Sequence, residues 1–174
     1  MELKKKYLNI IYMTLFLKKK LNKNDYETLW FDSESNISII KPLPIQNYVP
    51  ISNIVITENT DLENFYALFI KNDDKNVSKP LKYYKIFSND TMSIWRVIPP
   101  THHISFGDII KTGNEEPKDV YCVNEDHVKE YNYYNVKLYQ NNNFTIWRMN
   151  TYNSFIVNLS KYPSNLIKYE PNII

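Results

Sequence analysis

Short apolar runs punctuated by prolines and by Asn- or Asp-rich turns fill most of this chain. Their length and their Val, Ile, Tyr and Phe content predict strands from Tyr26 onward. Glu27 to Leu43 holds two apolar runs split by a polar turn at 32–36, a hairpin signal. Prolines 42, 44 and 50 then exclude a helix and favour an extended edge or corner. Residues 51–57 and 65–70 read as strands, with a loop between them and a polar linker at 71–80. The same logic returns at 81–100: strand, Ser-Asn-Asp turn, strand, Pro99-Pro100. It continues through 104–112, a loop at 113–119 and Tyr121-Cys122-Val123. Residues 125–134 read as a polar, aromatic connector. A third hairpin fills 135–150, and strand-like residues follow to the end.

These patterns superimpose. At an offset of 55 residues, Ile39-Ile40-Lys41 falls on Ile94-Trp95-Arg96, and Ser52-Asn53-Ile54-Val55 on Gly107-Asp108-Ile109-Ile110. The same offset places Tyr66-Ala67-Leu68 on Tyr121-Cys122-Val123. At 52 residues further, Ile146-Trp147-Arg148 falls on Ile94-Trp95-Arg96, and Phe144 on Met92. Both arginines of the chain therefore occupy equivalent places. The match fades beyond Asn150, so a third Tyr-Cys-Val-like strand is not expected. A unit this small cannot bury its apolar face alone, so the copies should pack around a shared axis. The expected fold is all-β: a β-prism-like body of three pseudo-repeated antiparallel sheets, spanning roughly 26–80, 81–134 and 135–174. A basic-apolar N-terminal arm at 1–25 stands before it, with an apolar run at 7–17 between two Lys triplets. That run is too short to span a bilayer. No small-residue cleavage site follows it, so secretion is not expected. The arm can dock on the body or on a partner chain, or it can meet a membrane surface through Lys4 to Lys20.

Composition changes the picture little. The 174 residues suit one domain, and the net charge of +2 speaks against nucleic acid as a partner. The weight of Asn, Lys, Ile and Tyr reflects AT-rich codons, as in a protist or a large DNA virus. A cytoplasmic or virion location fits that origin. One cysteine, Cys122, excludes an internal disulfide.

Candidate chemistry is sparse. Trp95-Arg96 and Trp147-Arg148 are hot-spot residue types. Strand alternation, however, assigns Trp to the core and leaves Arg to tie down a carboxylate such as Asp108. Gly107-Asp108 reads as a bulge or close backbone approach. The three histidines and Cys122 match no metal-site spacing. No nucleophile elbow, phosphate loop or coupled carboxylate pair is present, so neither enzyme activity nor a cofactor is expected. Glu115-Glu116 lies in a polar loop. The places where the copies differ are the better candidates for an interaction surface: His102, His103, Asn114, Glu115, Glu116, Tyr131 and Tyr133. Tyr131 and Tyr133 suit stacking on a glycan or a peptide, or else core packing.

The stretch Ile94 to Val123 resembles the Vps62 family of vacuolar-sorting-associated proteins. Trp95, Arg96, Pro99, Pro100, Gly107, Asp108, Pro117, Cys122 and Val123 carry the likeness. Family members have Gly-Tyr after the prolines, where this chain has His102-His103. The resemblance implies a β-prism-like body and a sorting or protein-binding role. The resulting expectation is a non-catalytic structural or protein-interaction module, as a component of a virus particle or a sorting adaptor. The alternative is a carbohydrate-binding or membrane-surface β-prism protein.

Overall fold

The computed structural model describes residues 15–60, 65–130, 135–159 and 169–173. These form seventeen strands and one 3-10 turn, Glu125–His127, and every strand pairing is antiparallel. The fold is all-β, built from three pseudo-repeated units.

Each unit opens with a strand, continues through a hairpin, and ends with strands that return to both. In the first unit these are β1 (Phe16–Lys20), the hairpin β2 (Tyr26–Asp32) and β3 (Ile37–Pro42), then β4 (Tyr48–Pro50), β5 (Ile54–Ile56) and β6 (Tyr66–Lys71). The middle unit repeats them as β7 (Val77–Ser78), β8 (Lys82–Ser88), β9 (Met92–Ile98), β10 (His103–Ile104), β11 (Ile109–Thr112) and β12 (Cys122–Asn124). The third has β13 (Val128–Glu130), β14 (Lys137–Gln140), β15 (Thr145–Arg148), β16 (Phe155–Asn158) and β17 (Tyr169–Pro171). Each hairpin gains a third strand, giving the sheets β2-β3-β5, β8-β9-β11 and β14-β15-β16. The remaining strands form β1-β6-β4, β7-β12-β10 and β13-β17. A unit thus holds two sheets where one was expected.

Residues 16–20, assigned to an N-terminal arm on sequence grounds, are the first strand of the first unit. They pair along their whole length with β6, from Phe16 opposite Ile70 to Lys20 opposite Tyr66. The sequence run looked unlike the repeats because the equivalent strands β7 and β13 are only two and three residues long. The Lys4–Lys6 triplet lies outside the described residues, as do Tyr131 and Tyr133.

The three hairpin sheets close around one core. Ile39, Ile94 and Ile146, at the equivalent place in β3, β9 and β15, are fully buried there with Val55, Ile110 and Val157. These central strands are covered on both faces, which explains their near-continuous apolar runs. All three hairpins carry a register shift at one place: Thr28/Trp30, Lys85/Phe87 and Lys137/Tyr139. The shift brings Trp30, Phe87 and Tyr139 opposite the three axial isoleucines. These rings gather around Phe144, at centroid distances of 6.4, 5.3 and 5.8 Å respectively. The second sheets meet in another core, with Phe16, Val49, Leu68, Ile70, Val77, Phe106 and Val123.

The last strand corrects the sequence alignment. Val49 pairs with Ile70, and Ile104 with Val123. Phe69-Ile70-Lys71 is therefore the equivalent of Cys122-Val123-Asn124, two residues away from the Tyr-Ala-Leu match. A slip of two leaves every side chain on its original face, so the polarity pattern does not distinguish the two registers. The third unit also has its closing strand, β17. Among the described residues it lacks only the corner strand. Fourteen residues separate Ile40 from its partner Ile54, and Trp95 from Ile109, but nine separate Trp147 from Ile156. A tight turn replaces the proline corner: the Asn150 side chain accepts from the Tyr152 and Ser154 amides, and Asn153 adopts φ +57°.

Candidate functional site

The junctions between units hold the conspicuous chemistry. Ile94 and Arg96 share a face of β9, so Arg96 sits on the axial side, where the next unit begins. Its Nε and Nη2 donate to the two oxygens of Asp108 at 3.1 and 3.0 Å. Asp108 is 3 % exposed and also accepts from the Val157 amide at 2.7 Å. Arg96 Nη2 in turn donates to the Val157 carbonyl at 2.8 Å. The ion pair of the middle unit therefore satisfies both backbone groups of Val157 on the edge of β16. Burial pushes the Asp108 carboxyl above its ordinary range, and Arg96 with the Val157 amide pulls it part of the way back. The carboxylate in turn holds the Arg96 guanidinium in its charged form.

Gly107 lets that junction close. It has φ +100°, and a Cβ there would stand 2.2 Å from the Phe155 carbonyl oxygen, which accepts from the Asp108 amide at 2.9 Å. Related contacts recur at the other junctions. Asn53, the equivalent of Asp108, donates from Nδ2 to the Ile110 carbonyl at 3.1 Å. The Val55 amide donates to the Asn153 carbonyl at 3.0 Å. Val55, Ile110 and Val157 are equivalent, so each unit is held at one backbone position by the unit before it, and the third holds the first. The Ser52 and Ser154 hydroxyls, 102 residues apart, hydrogen-bond at 2.6 Å where the ring closes.

Trp95 is buried, its indole N–H donating to Ser93 Oγ at 2.8 Å, with Lys85 Nζ 4.7 Å from its ring centroid. Trp147 is equally buried, but Thr145 stands where Ser93 does and the Trp147 N–H finds no acceptor among the described residues. Cys122 is fully buried, and burial pushes its thiol up to about 12, so it stays protonated and unreactive at neutral pH.

The sequence-selected surface residues separate into two places. His102 and His103 lie at the corner before and in β10; His102 Nδ1 meets Glu125 Oε1 at 2.6 Å. Their identity has a backbone reason. His102 has φ +61° and Asn47, 55 residues earlier, has φ +64°. Their carbonyls accept equivalent bonds from the Glu125 and Asn72 amides, at 3.0 and 2.9 Å. The corner needs a left-handed residue followed by a strand residue, which Asn47-Tyr48 and His102-His103 both supply. At the 55-residue offset Asn47 falls on His102. Asn114, Glu115 and Glu116 belong to the loop after β11. Lys85 Nζ donates to the Asn114 carbonyl at 3.2 Å, and Lys111 reaches Glu115 at 3.4 Å. Among the described residues, no three His, Cys, Asp or Glu side chains gather into a metal-holding group.

Two clefts, each of about 350 Å³, open at the unit junctions. One lies between the first and middle units, with Lys41, Asn53, Ile109, Thr112, Asp119 and Tyr121 in its lining. The other lies between the third and first units, with Lys18, Thr57, Tyr66, Arg148, Tyr152 and Asn153 in its lining. They are pseudo-equivalent: Lys41 corresponds to Arg148, and Thr112 to Thr57. Sequence reading missed both clefts, because each is made by residues from different units.

Together these features define an all-β protein of the three-unit β-prism kind, closed by side-chain contacts at its junctions. No protein-family model and no curated protein matches the chain. Among solved structures, the chain is similar to the crystal structure of GNIP1Aa from Chromobacterium piscinae, at a TM-score of 0.62 and 15 % identity. The likeness covers 87 % of this chain and 34 % of that one, so the chain spans about a third of that protein's length. Among the described residues, no helix is long and apolar enough to cross a membrane.

Proposed function

We propose that the protein is a non-catalytic structural or protein-interaction module. The observation that carries this reading is the internal use of the motif residues. Arg96, Gly107 and Asp108 meet each other, Phe155 and Val157, and so hold the body together. The surface that varies between units is then the part available to a partner. A sorting adaptor, as the Vps62 resemblance implies, and a particle component are the two settings proposed for such a module.

The membrane-surface alternative loses part of its basis in the second Lys triplet. Lys19 pairs with Asp25 at 2.6 Å, and Lys18 lies over the Tyr66 ring. Sedimentation over a hundredfold range of protein concentration, run beside a glycan array and flotation with anionic liposomes, tests the proposal. Self-association without retention on glycans or liposomes is the expected result. Saturable binding to a glycan or to liposomes by a chain that stays monomeric would replace it with the alternative.

A further inference from the structure

The three junctions place one cation each at the same point: Lys41, Arg96 and Arg148. Each stands two residues after the axial isoleucine of its central strand, on the face that meets the neighbouring unit. Their partners differ. Arg96 holds the Asp108 carboxylate through Nε and Nη2. Lys41 reaches Asp119 at 3.8 Å. Phe155 occupies the place of Asp108 in the third unit, so among the described residues Arg148 has no acidic counterpart. Its backbone amide donates to the Val136 carbonyl at 2.8 Å, which fixes the residue. Its Nε is buried and meets no acceptor among the described residues.

An arginine donor removed from water with nothing to bond carries a desolvation cost that the fold leaves uncompensated. In this case the residue lines an open cleft. Lys18 supplies a second cation to the same lining, and among the described lining residues there is no Asp or Glu. Thr57, Thr60, Asn59 and Asn153 add neutral hydrogen-bonding groups, and Tyr66 and Tyr152 add rings.

We propose that the cleft between the third and first units binds a carboxylate at the part of the Arg148 guanidinium that lines it. The incoming group supplies the acceptor that the middle unit carries within itself. A guanidinium offers paired donors that fit the two oxygens of a carboxylate, and the Tyr rings suit the carbon skeleton beside it. This inference does not depend on whether the protein self-assembles.

The chain has two arginines, so the side-chain Nε–H region of its nitrogen–proton NMR spectrum holds two signals, one for each. Titration of the full chain with N-acetylglutamate is expected to move the Arg148 signal saturably and to leave Arg96 in place. Arg148→Gln should weaken calorimetric binding by about tenfold or more, while the unchanged Arg96 signal reports an intact fold. A Glu-rich peptide that binds more tightly than the monoacid points to a partner chain as the source; equal affinity points to a free acid. Both outcomes support the site. An Arg148 signal that moves no more than with chloride at matched ionic strength overturns it. So does a response to inorganic phosphate at lower concentration than to the carboxylate. Asp61 and Glu63 lie in sequence between the lining residues Thr60 and Phe65. A signal that responds only in the Asp61→Asn/Glu63→Gln variant assigns the acceptor to the chain itself and overturns the proposal.

Discussion

Replacing Gly107 by alanine is expected to destabilise the protein by about 3 kcal/mol or more. Two effects act together. The residue sits at φ +100°, a backbone region that side chains rarely occupy. The new Cβ would also stand 2.2 Å from the Phe155 carbonyl oxygen. That oxygen belongs to a backbone in β16 and cannot swing aside as a flexible side chain would. Relief requires opening the junction between the middle and third units, where the Asp108 amide bonds the same oxygen. A thermal melt should show a fall in Tm of roughly 10 °C. The chain's other glycine provides the control. Gly113 has φ +75°, and a Cβ added there would meet nothing within 4 Å, so Gly113→Ala should cost only about 1 kcal/mol of backbone strain.

Loss of the Asp108 carboxylate is the second large effect. Asp108→Ala removes the acceptor of three hydrogen bonds, two from Arg96 and one from the Val157 amide. The Val157 N–H is left without its partner on the edge of β16. The Arg96 side chain is 45 % exposed and recovers part of its loss from water. Denaturant unfolding should therefore show a destabilisation of about 2–4 kcal/mol. Asp108→Asn should cost less, because its amide oxygen still accepts from Val157. The pH dependence has a definite sign. Burial holds the folded carboxyl above its ordinary value of 3.8. The stabilisation linked to this group is then fully present below that value and declines as pH rises through the folded-state pKa. Asp108→Asn should flatten that decline.

Much of this architecture is legible in the sequence, and the reasons are physical. The hairpins and their repetition follow from apolar runs, turn residues and the two Trp-Arg pairs. The axial isoleucines Ile39, Ile94 and Ile146 could be aligned because strand geometry there is continuous. Three features were hidden. The first strand, Phe16–Lys20, pairs with a strand some fifty residues later, and pattern alone does not report pairing partners. The closing strands slid by two residues in the alignment because a two-residue slip keeps polarity intact. The third unit's pattern fades early because Asn150 to Asn153 make a short turn where the other units have prolines and a corner strand.

The site was less legible than the fold. His102 and His103 stood out as unusual residues, yet His102 occupies a left-handed corner that Asn47 also fills. Asp108 was readable as a carboxylate for Arg96, but its grip on Val157 in another unit was not. Neither cleft is visible from any one segment, since each takes its walls from two units. Arg148 becomes informative only beside Arg96 and Lys41, once the three are known to be equivalent and their partners are known to differ.

The central claim is that three units close into a ring, with the third bonded back to the first. The Ser52 and Ser154 hydroxyls meet at that closure, 2.6 Å apart. Oxidation of the Ser52→Cys/Ser154→Cys variant tests it directly, read by non-reducing electrophoresis and peptide mass spectrometry. Rapid, intramolecular formation of the 52–154 disulfide in the native protein, with Cys122 left as a free thiol, is the predicted result. A variant that stays reduced, or that forms only intermolecular dimers, while remaining folded would contradict the closed ring.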